Sequence, residues 1–198
     1  MMMRATEESP PMFENTFIDG FSRIPWFIVP ILFVPIIVAL FGYGLVALNL
    51  PVGASVGAAL AGGFVWTFME YWLHRTLFHW VPPVAWGKRF HFIMHGVHHD
   101  YVNDRLRLVM PPAASLVLGL LFFAMWYPLL GAWTFPFFAG HVGGYLAYDM
   151  THYYVHHGKV KGKVYNRLRA HHMNHHHRKD GRKFGVSTTL WDYAFGTY

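Results

Sequence analysis

Two long stretches of this chain carry no formal charge: no Asp, Glu, Lys or Arg lies between Arg23 and Glu70, and none between Arg107 and Asp149. A helix needs roughly 20 apolar residues to cross the hydrocarbon of a bilayer, and each stretch is about twice that, so each reads as a hairpin of two membrane helices. Leu50, Pro51, Val52 and Gly53 mark the first reversal, and Gly131 to Pro136 the second. The expected spans are 25–49, 53–73, 113–131 and 134–154. With 54% hydrophobic and 13% charged residues, the 198-residue chain is too apolar for an ordinary soluble domain. The fold class is therefore an all-α integral membrane protein, with four transmembrane helices in two hairpins.

The charges that remain are segregated. Of the 16 Lys and Arg residues, two precede the first span, five lie between Arg75 and Arg107, and nine lie between Lys159 and Lys183. Neither hairpin turn carries one, which places both termini and the central loop in the cytosol by the positive-inside rule. The net charge of +6 suits a surface against anionic headgroups or one that receives an acidic partner. Nothing resembles a nucleic-acid-binding fold. The first apolar run is too long for a secretory signal, follows Glu7, Glu8, Glu14 and Asp19 and lacks an evident cleavage site, so it reads as a retained anchor. Without cysteine there are no disulfides and no thiolate metal sites. One membrane-embedded domain, 1–198, divides into a lead-in (1–24), a first hairpin (25–73), a histidine segment (74–112), a second hairpin (113–154) and a second histidine segment (155–198). The lead-in, with a short interfacial segment at Phe13 to Phe21, receives no chemical role.

Ten of the 15 histidines fall into four clusters: His74 and His79; His95, His98 and His99; His152 and His156; His172, His175 and His176. Neutral imidazole is the commonest borderline metal ligand. Each half of the chain offers a pair near the end of a span and then a triplet on the cytosolic side, so two half-sites facing each other assemble a centre in a helical, histidine-rich cytosolic cap. Residues three and four apart share a helix face, which groups the triplets and the pair His152 and His156. An offset of five turns about 140° round a regular helix, so His74 and His79 converge only if the helix distorts or ends between them. Ten nitrogens exceed the four of one closed zinc site and suggest two metal ions of about five ligands each.

Glu70 lies four residues before His74, and Asp149 three before His152, each at the membrane end of an uncharged helix. A carboxylate there is costly unless paired, and accepting the free ring N–H of a ligating histidine explains it. His91 and His171 adjoin the triplets and are expected to support ligands rather than bind metal. His157 and His177 look peripheral, and His141, inside the fourth span, is expected to be packed or hydrogen-bonded.

The words HRTLFH from His74, HFIMHGVHHD from His91, RLVMPPAASL from Arg107, GYLAYDMTHYYVHHG from Gly144, and RAHHMNHHH with FGVSTTLWDY between Arg169 and Tyr193 resemble the fatty acid hydroxylase superfamily. They are most similar to its fatty acid 2-hydroxylase branch. That resemblance implies one metal held by His74, His79, His95, His99 and His175, and a second held by His98, His152, His156, His172 and His176. It also implies a membrane monooxygenase of fatty acid and lipid metabolism that uses O2 to hydroxylate carbon 2 of a fatty acyl chain. Activating O2 toward a C–H bond is chemistry that side chains cannot provide and a redox metal pair can, and iron is expected for it; zinc fits the same ligands and is possible in the isolated protein, but has no accessible redox change. Family members commonly carry a fused cytochrome b5 domain, which the 24 residues before the first span cannot hold, so a separate electron donor such as a cytochrome b5 or ferredoxin is expected. The basic stretch Lys159 to Arg169 is a docking surface for an acidic carrier. Trp66, Tyr71, Trp72, Tyr153 and Tyr154 are candidates for lining an acyl pocket, with helix packing the simpler role for each. The alternatives are a hydroxylase or desaturase of another membrane lipid, a carotenoid or sterol, and a non-catalytic histidine-rich metal-binding membrane protein.

Overall fold

A computed structural model describes residues 9–178 and 181–198; Arg4, Glu7, Glu8 and Lys179 lie outside them. The described residues are helical, without strands. A short α1 (Thr16–Gly20) leads into α2 (Ile28–Val46) and α3 (Val52–Trp72), which continues as a π-helical turn, Leu73–Phe78. Next come α4 (Gly87–His91), a second π-helical turn (Phe92–Gly96) and α5 (Val97–Asp100). The long helices α6 (Pro112–Leu130) and α7 (Thr134–His157) flank a 3-10 turn at Gly131–Trp133, and α8 (Lys163–His177) and α9 (Leu190–Ala194) complete the chain.

Three helical runs are long and apolar enough to cross a membrane: Ile28–Val46, Val52–Phe78 and Pro112–His157. The third, 46 residues long, contains both α6 and α7. Between them the chain reverses at Gly131, whose φ of +52° suits a residue without Cβ. The Phe122 ring lies 5.4 Å from His141, and Trp126 lies 5.1 Å from Phe137, so α6 runs back along α7. Its outer face is open, as is that of α3: Leu120 is 70% exposed and Leu60 71%. Apolar side chains so placed on long apolar helices suit contact with lipid.

The first hairpin is looser than its sequence suggests. α2 and α3 touch each other little, and both pack on α7, which becomes the central helix. Small residues explain this choice. A Cβ on Gly140 would lie 1.8 Å from the Ala59 carbonyl oxygen, and one on Gly62 would lie 1.9 Å from that of Phe137. α3 and α7 approach until only glycine fits, the packing mode favoured where lipid rather than water surrounds helices. Phe33 of α2 meets Tyr145 of α7 edge-on at 5.0 Å, and Trp66 of α3 meets the same ring at 5.4 Å, forming the buried core.

The lead-in is folded over the cap. Asn15 Oδ1 caps α1 by accepting the Phe17 and Ile18 N–H groups. Asp19 is buried, accepts the Met12 N–H at 2.6 Å and pairs with Arg107 at 2.9 Å and Arg23 at 2.9 Å. Burial raises the Asp19 carboxyl, but those backbone donors and the two arginines outweigh it, and the group titrates below its ordinary value. Arg107 also donates to the Pro10 carbonyl. One guanidinium thus ties the segment before α2 to the loop before α6.

Candidate metal centre

α3 and α7 run side by side and deliver their histidines at the same end. His74 falls within the π-helical turn that closes α3 and His79 just after it, and the wider turn brings the two rings to 5.0 Å between centroids. His152 and His156, one α-helical turn apart, close α7. The second π-helical turn and α5 supply His95, His98 and His99, and the last turns of α8 supply His172, His175 and His176.

These ten rings form two groups. His74, His79, His95, His99 and His175 offer five ring nitrogens within 4.8 Å of one another, and His98, His152, His156, His172 and His176 do the same. This is the division that the family resemblance implies. His98 shares a helical segment with His95 and His99, and His175 shares one with His172 and His176, so each cytosolic segment serves both groups.

Hydrogen bonds on the far side of the rings fix what the inner nitrogens present. His74 Nδ1 lies 2.5 Å from the Phe184 carbonyl oxygen, and His175 Nδ1 lies 2.7 Å from that of Arg182. A carbonyl only accepts, so Nδ1 carries the proton and Nε2 turns a bare lone pair inward. Inner nitrogens face one another at short range: His74 and His95 at 3.1 Å, His79 and His175 at 2.9 Å, His98 and His152 at 2.9 Å, and His156 and His172 at 2.9 Å. Two nitrogens each about 2.0–2.1 Å from one ion, at right angles, stand about 2.9 Å apart. His99 Nε2 is buried with no hydrogen-bond partner. The donor set fits two nitrogen-ligated ions.

Electrostatics agree. Burial, reinforced by neighbouring rings, pushes His95, His98, His172 and His176 well below the ordinary imidazole range, lowers His79 to about 3 and lowers His99 to about 2. These rings are neutral at pH 7, the state in which imidazole binds metal.

The two carboxylates behave differently from expectation. Glu70 accepts the Val186 N–H at 2.7 Å, the Ser187 N–H at 2.8 Å and the Ser187 hydroxyl, and so pins the C-terminal segment to α3. Asp149 accepts the Met110 N–H at 3.3 Å and the Tyr145 hydroxyl at 3.1 Å. Neither bonds to a histidine ring, and the His74 ring N–H that Glu70 was expected to accept goes to the Phe184 backbone carbonyl. His171 is linked to the first group only through an intermediary. Its Nε2 lies 3.0 Å from Asp192, whose carboxylate also accepts the Phe184 N–H at 2.9 Å and the Gly185 N–H at 2.8 Å. Burial raises the Asp192 carboxyl, but the bond from His171 and the other donors overcome that and lower it. Asp192 and Phe184 have no independent mark in the sequence beyond the FGVSTTLWDY word.

His91 lies against Gly96, with its ring 6.3 Å from that of His79, and belongs to neither group. His141 is packed in α7 between Trp66 at 5.1 Å and Phe138 at 5.4 Å. His177 is exposed and bonds to the Met173 carbonyl of its own helix, and His157 packs 5.2 Å from Tyr153.

A cavity of about 300 Å³ reaches the histidines from the side. His95, His98 and His152 stand in its wall, with Met12, Ile18 and Phe21 of the lead-in among the apolar residues around it. The lead-in therefore shapes the site, a role its sequence does not signal. Asp149 and Tyr148 also line the cavity. The candidate aromatics instead fill helix contacts: Trp66 packs on His141, Tyr71 stacks on Phe195 at 5.4 Å, and Tyr153 stacks on Trp26 at 5.7 Å.

Comparison with known proteins agrees with this geometry. The chain is 37% identical over 194 residues to a dihydroceramide fatty acyl 2-hydroxylase of Arabidopsis thaliana, covering 98% of this chain and 81% of the relative. It is 41% identical to the fatty acid 2-hydroxylase of Homo sapiens, covering 94% of this chain and 56% of the relative. It is 36% identical to the ceramide very long chain fatty acid hydroxylase of Saccharomyces cerevisiae, covering 96% and 50%. The chain thus spans about half the length of the human and yeast relatives. A solved structure of full-length scs7p, in which only the hydroxylase domain is visible, matches with a TM-score of 0.87 at 36% identity, over 94% of this chain and 70% of that one. Residues 59–197, which hold all ten clustered histidines, match the fatty acid hydroxylase family model, and the chain belongs to that family.

Proposed function

We infer that this chain is a membrane monooxygenase that hydroxylates carbon 2 of a lipid acyl chain. The observation that carries this reading is the convergence of ten histidine nitrogens, in two groups of five, beside an apolar cavity. The relatives named as fatty acid or fatty acyl 2-hydroxylases support the position of attack. They do not favour a sterol or carotenoid substrate or a purely metal-binding role.

His74, His79, His95, His99 and His175 would hold one ion, and His98, His152, His156, His172 and His176 the other. Bound as iron, the pair supplies the O2 activation that side chains cannot. The balance is fixed: one oxygen atom enters the C–H bond, the other leaves as water, and two electrons and two protons are consumed. The electrons come from a one-electron donor. This chain's residues do the positioning. Phe184 and Arg182 hold His74 and His175 in one tautomer, and the lead-in, clamped by Arg107 and Asp19, forms one apolar wall of the cavity. An acyl chain lying there with its carboxyl end toward the histidines presents carbon 2.

Four spans, α2, α3, α6 and α7, fit the two uncharged stretches. With every Lys and Arg outside the hairpin turns, the histidine cap faces the cytosol. Expression in a lipid-producing host tests the activity. New 2-hydroxy acyl lipids appear with the native chain and vanish with His95→Ala; a host lipid profile unchanged by the native chain contradicts the assignment.

A further inference from the structure

The consecutive backbone N–H groups of Phe184, Gly185, Val186 and Ser187 all end on two buried carboxylates. Asp192 accepts the first two at 2.9 and 2.8 Å, and Glu70 the next two at 2.7 and 2.8 Å. Only one of these N–H groups lies in series with a ring of the metal centre. The Gly185 N–H and the Phe184 carbonyl are opposite ends of one planar trans peptide, so they point in opposite directions. Asp192 Oδ2 takes the N–H, and the carbonyl oxygen lies 2.5 Å from His74 Nδ1. The series therefore runs from the Asp192 carboxylate through peptide 184–185 to the His74 ring, whose Nε2 faces the first group. His175 has the same arrangement without the charge: the Lys183 N–H donates to the Thr197 carbonyl at 2.8 Å, and the Arg182 carbonyl of that peptide lies 2.7 Å from His175 Nδ1.

Two rings of the second group lack such backing. His172 and His176 turn Nε2 toward each other at 3.0 Å, and among the described residues their outer Nδ1 atoms are buried with no hydrogen-bond partner. An imidazole whose outer N–H is held by a strong acceptor is the more basic ligand at its inner nitrogen. An anion at the far end of a peptide polarises that peptide and strengthens the bonds on both sides of it. We propose that Asp192 is a positioning residue for the first metal ion, polarising His74 through peptide 184–185, and that it makes the two metal positions unequal. The first group then holds its ion more tightly than the second. The inference rests on the reading of both histidine groups as metal sites.

The test titrates Co2+ into the metal-stripped full chain in phosphatidylcholine nanodiscs and follows d–d absorption and heat. The expected result is two steps, the first tighter by about tenfold or more. His79→Ala removes the tight step and His156→Ala the weak one. Asp192→Asn weakens the tight step by about tenfold or more and shifts its absorption bands, while the weak step and its bands stay as in the native chain. Glu70→Gln loosens the same segment but touches no peptide that backs a ring, so the bands of both steps stay in place. Equal steps in the native chain, or a tight step that survives His79→Ala, overturn the proposal, and neither result needs a variant of Asp192 to fold. The same band shift in Asp192→Asn and Glu70→Gln also overturns it, since both carboxylates would then act only as a clamp. A native chain that binds no Co2+ overturns the two-ion reading itself, and the inequality falls with it.

Discussion

His74 and His79 stand five residues apart, yet their rings lie 5.0 Å apart on one side of the chain, because Leu73–Phe78 takes a π-helical rather than an α-helical turn. The wider turn closes the angular gap that a regular helix leaves at this spacing. His79 is then a full member of the first group, whereas His91, at a similar distance along the cap, is not. His79→Ala is expected to lower metal content from two ions per chain to one, and His91→Ala to leave it at two. Elemental analysis of the purified proteins decides this; equal losses in both variants contradict the grouping.

Asp192 gathers the Phe184 and Gly185 N–H groups, the Thr197 hydroxyl and the His171 ring, and Phe184 backs His74. Asp192→Asn turns one acceptor into a donor amid buried donors. A destabilisation on the order of 2–4 kcal/mol is expected. Denaturation in detergent measures it, and faster metal loss to a chelator should accompany it. A variant as stable as the native chain contradicts the role given to Asp192.

Two glycines on one helix separate packing from propensity. A Cβ at Gly140 meets the Ala59 carbonyl oxygen at 1.8 Å, whereas one at Gly143 meets nothing within 4 Å. Gly140→Ala should cost about 1–3 kcal/mol or more and reduce the yield of monodisperse protein. Gly143→Ala should be neutral or slightly stabilising, since alanine suits a helix better. Thermal midpoints of the pair check the α3–α7 contact, and equal midpoints contradict it.

Acid should loosen the cap earlier than carboxylate titration would. His79 and His99 titrate at about 3 and about 2 in the folded protein, below the ~6.5 of an unfolded chain. As pH falls, the unfolded state binds protons first. The contribution of these rings is complete above about pH 6.5 and declines progressively toward the folded values. The thermal midpoint of chelator-treated protein should therefore fall steadily between pH 7 and 5. Metal should leave the loaded protein over the same window, because protons compete for the ligand nitrogens. A midpoint that is flat or rises with acid contradicts this.

Much of the architecture was legible before the fold. Helices expected over 113–131 and 134–154 fall at Pro112–Leu130 and Thr134–His157, because an apolar run bounded by turn residues has few other solutions. The ten histidines stood out by density. Their division into fives came from the family resemblance, since spacing alone admits other partitions. Partnerships across the chain were not legible. Glu70 was expected to hold His74, but a backbone carbonyl does so, and every residue has a carbonyl. α7 proved to be the central helix through close approaches at Gly62 and Gly140, which depend on which faces meet. The lead-in acquired a role through the Asp19–Arg107 pair, 88 residues apart in sequence.

Mass spectrometry after turnover in labelled O2 tests the central claim most directly. Iron-loaded native chain, reconstituted with membrane lipid and a reductant, should place one labelled oxygen atom on carbon 2 of an acyl chain, and His95→Ala should place none. An iron-loaded chain holding two ions that labels no lipid, or that labels a carbon other than carbon 2, would contradict the account.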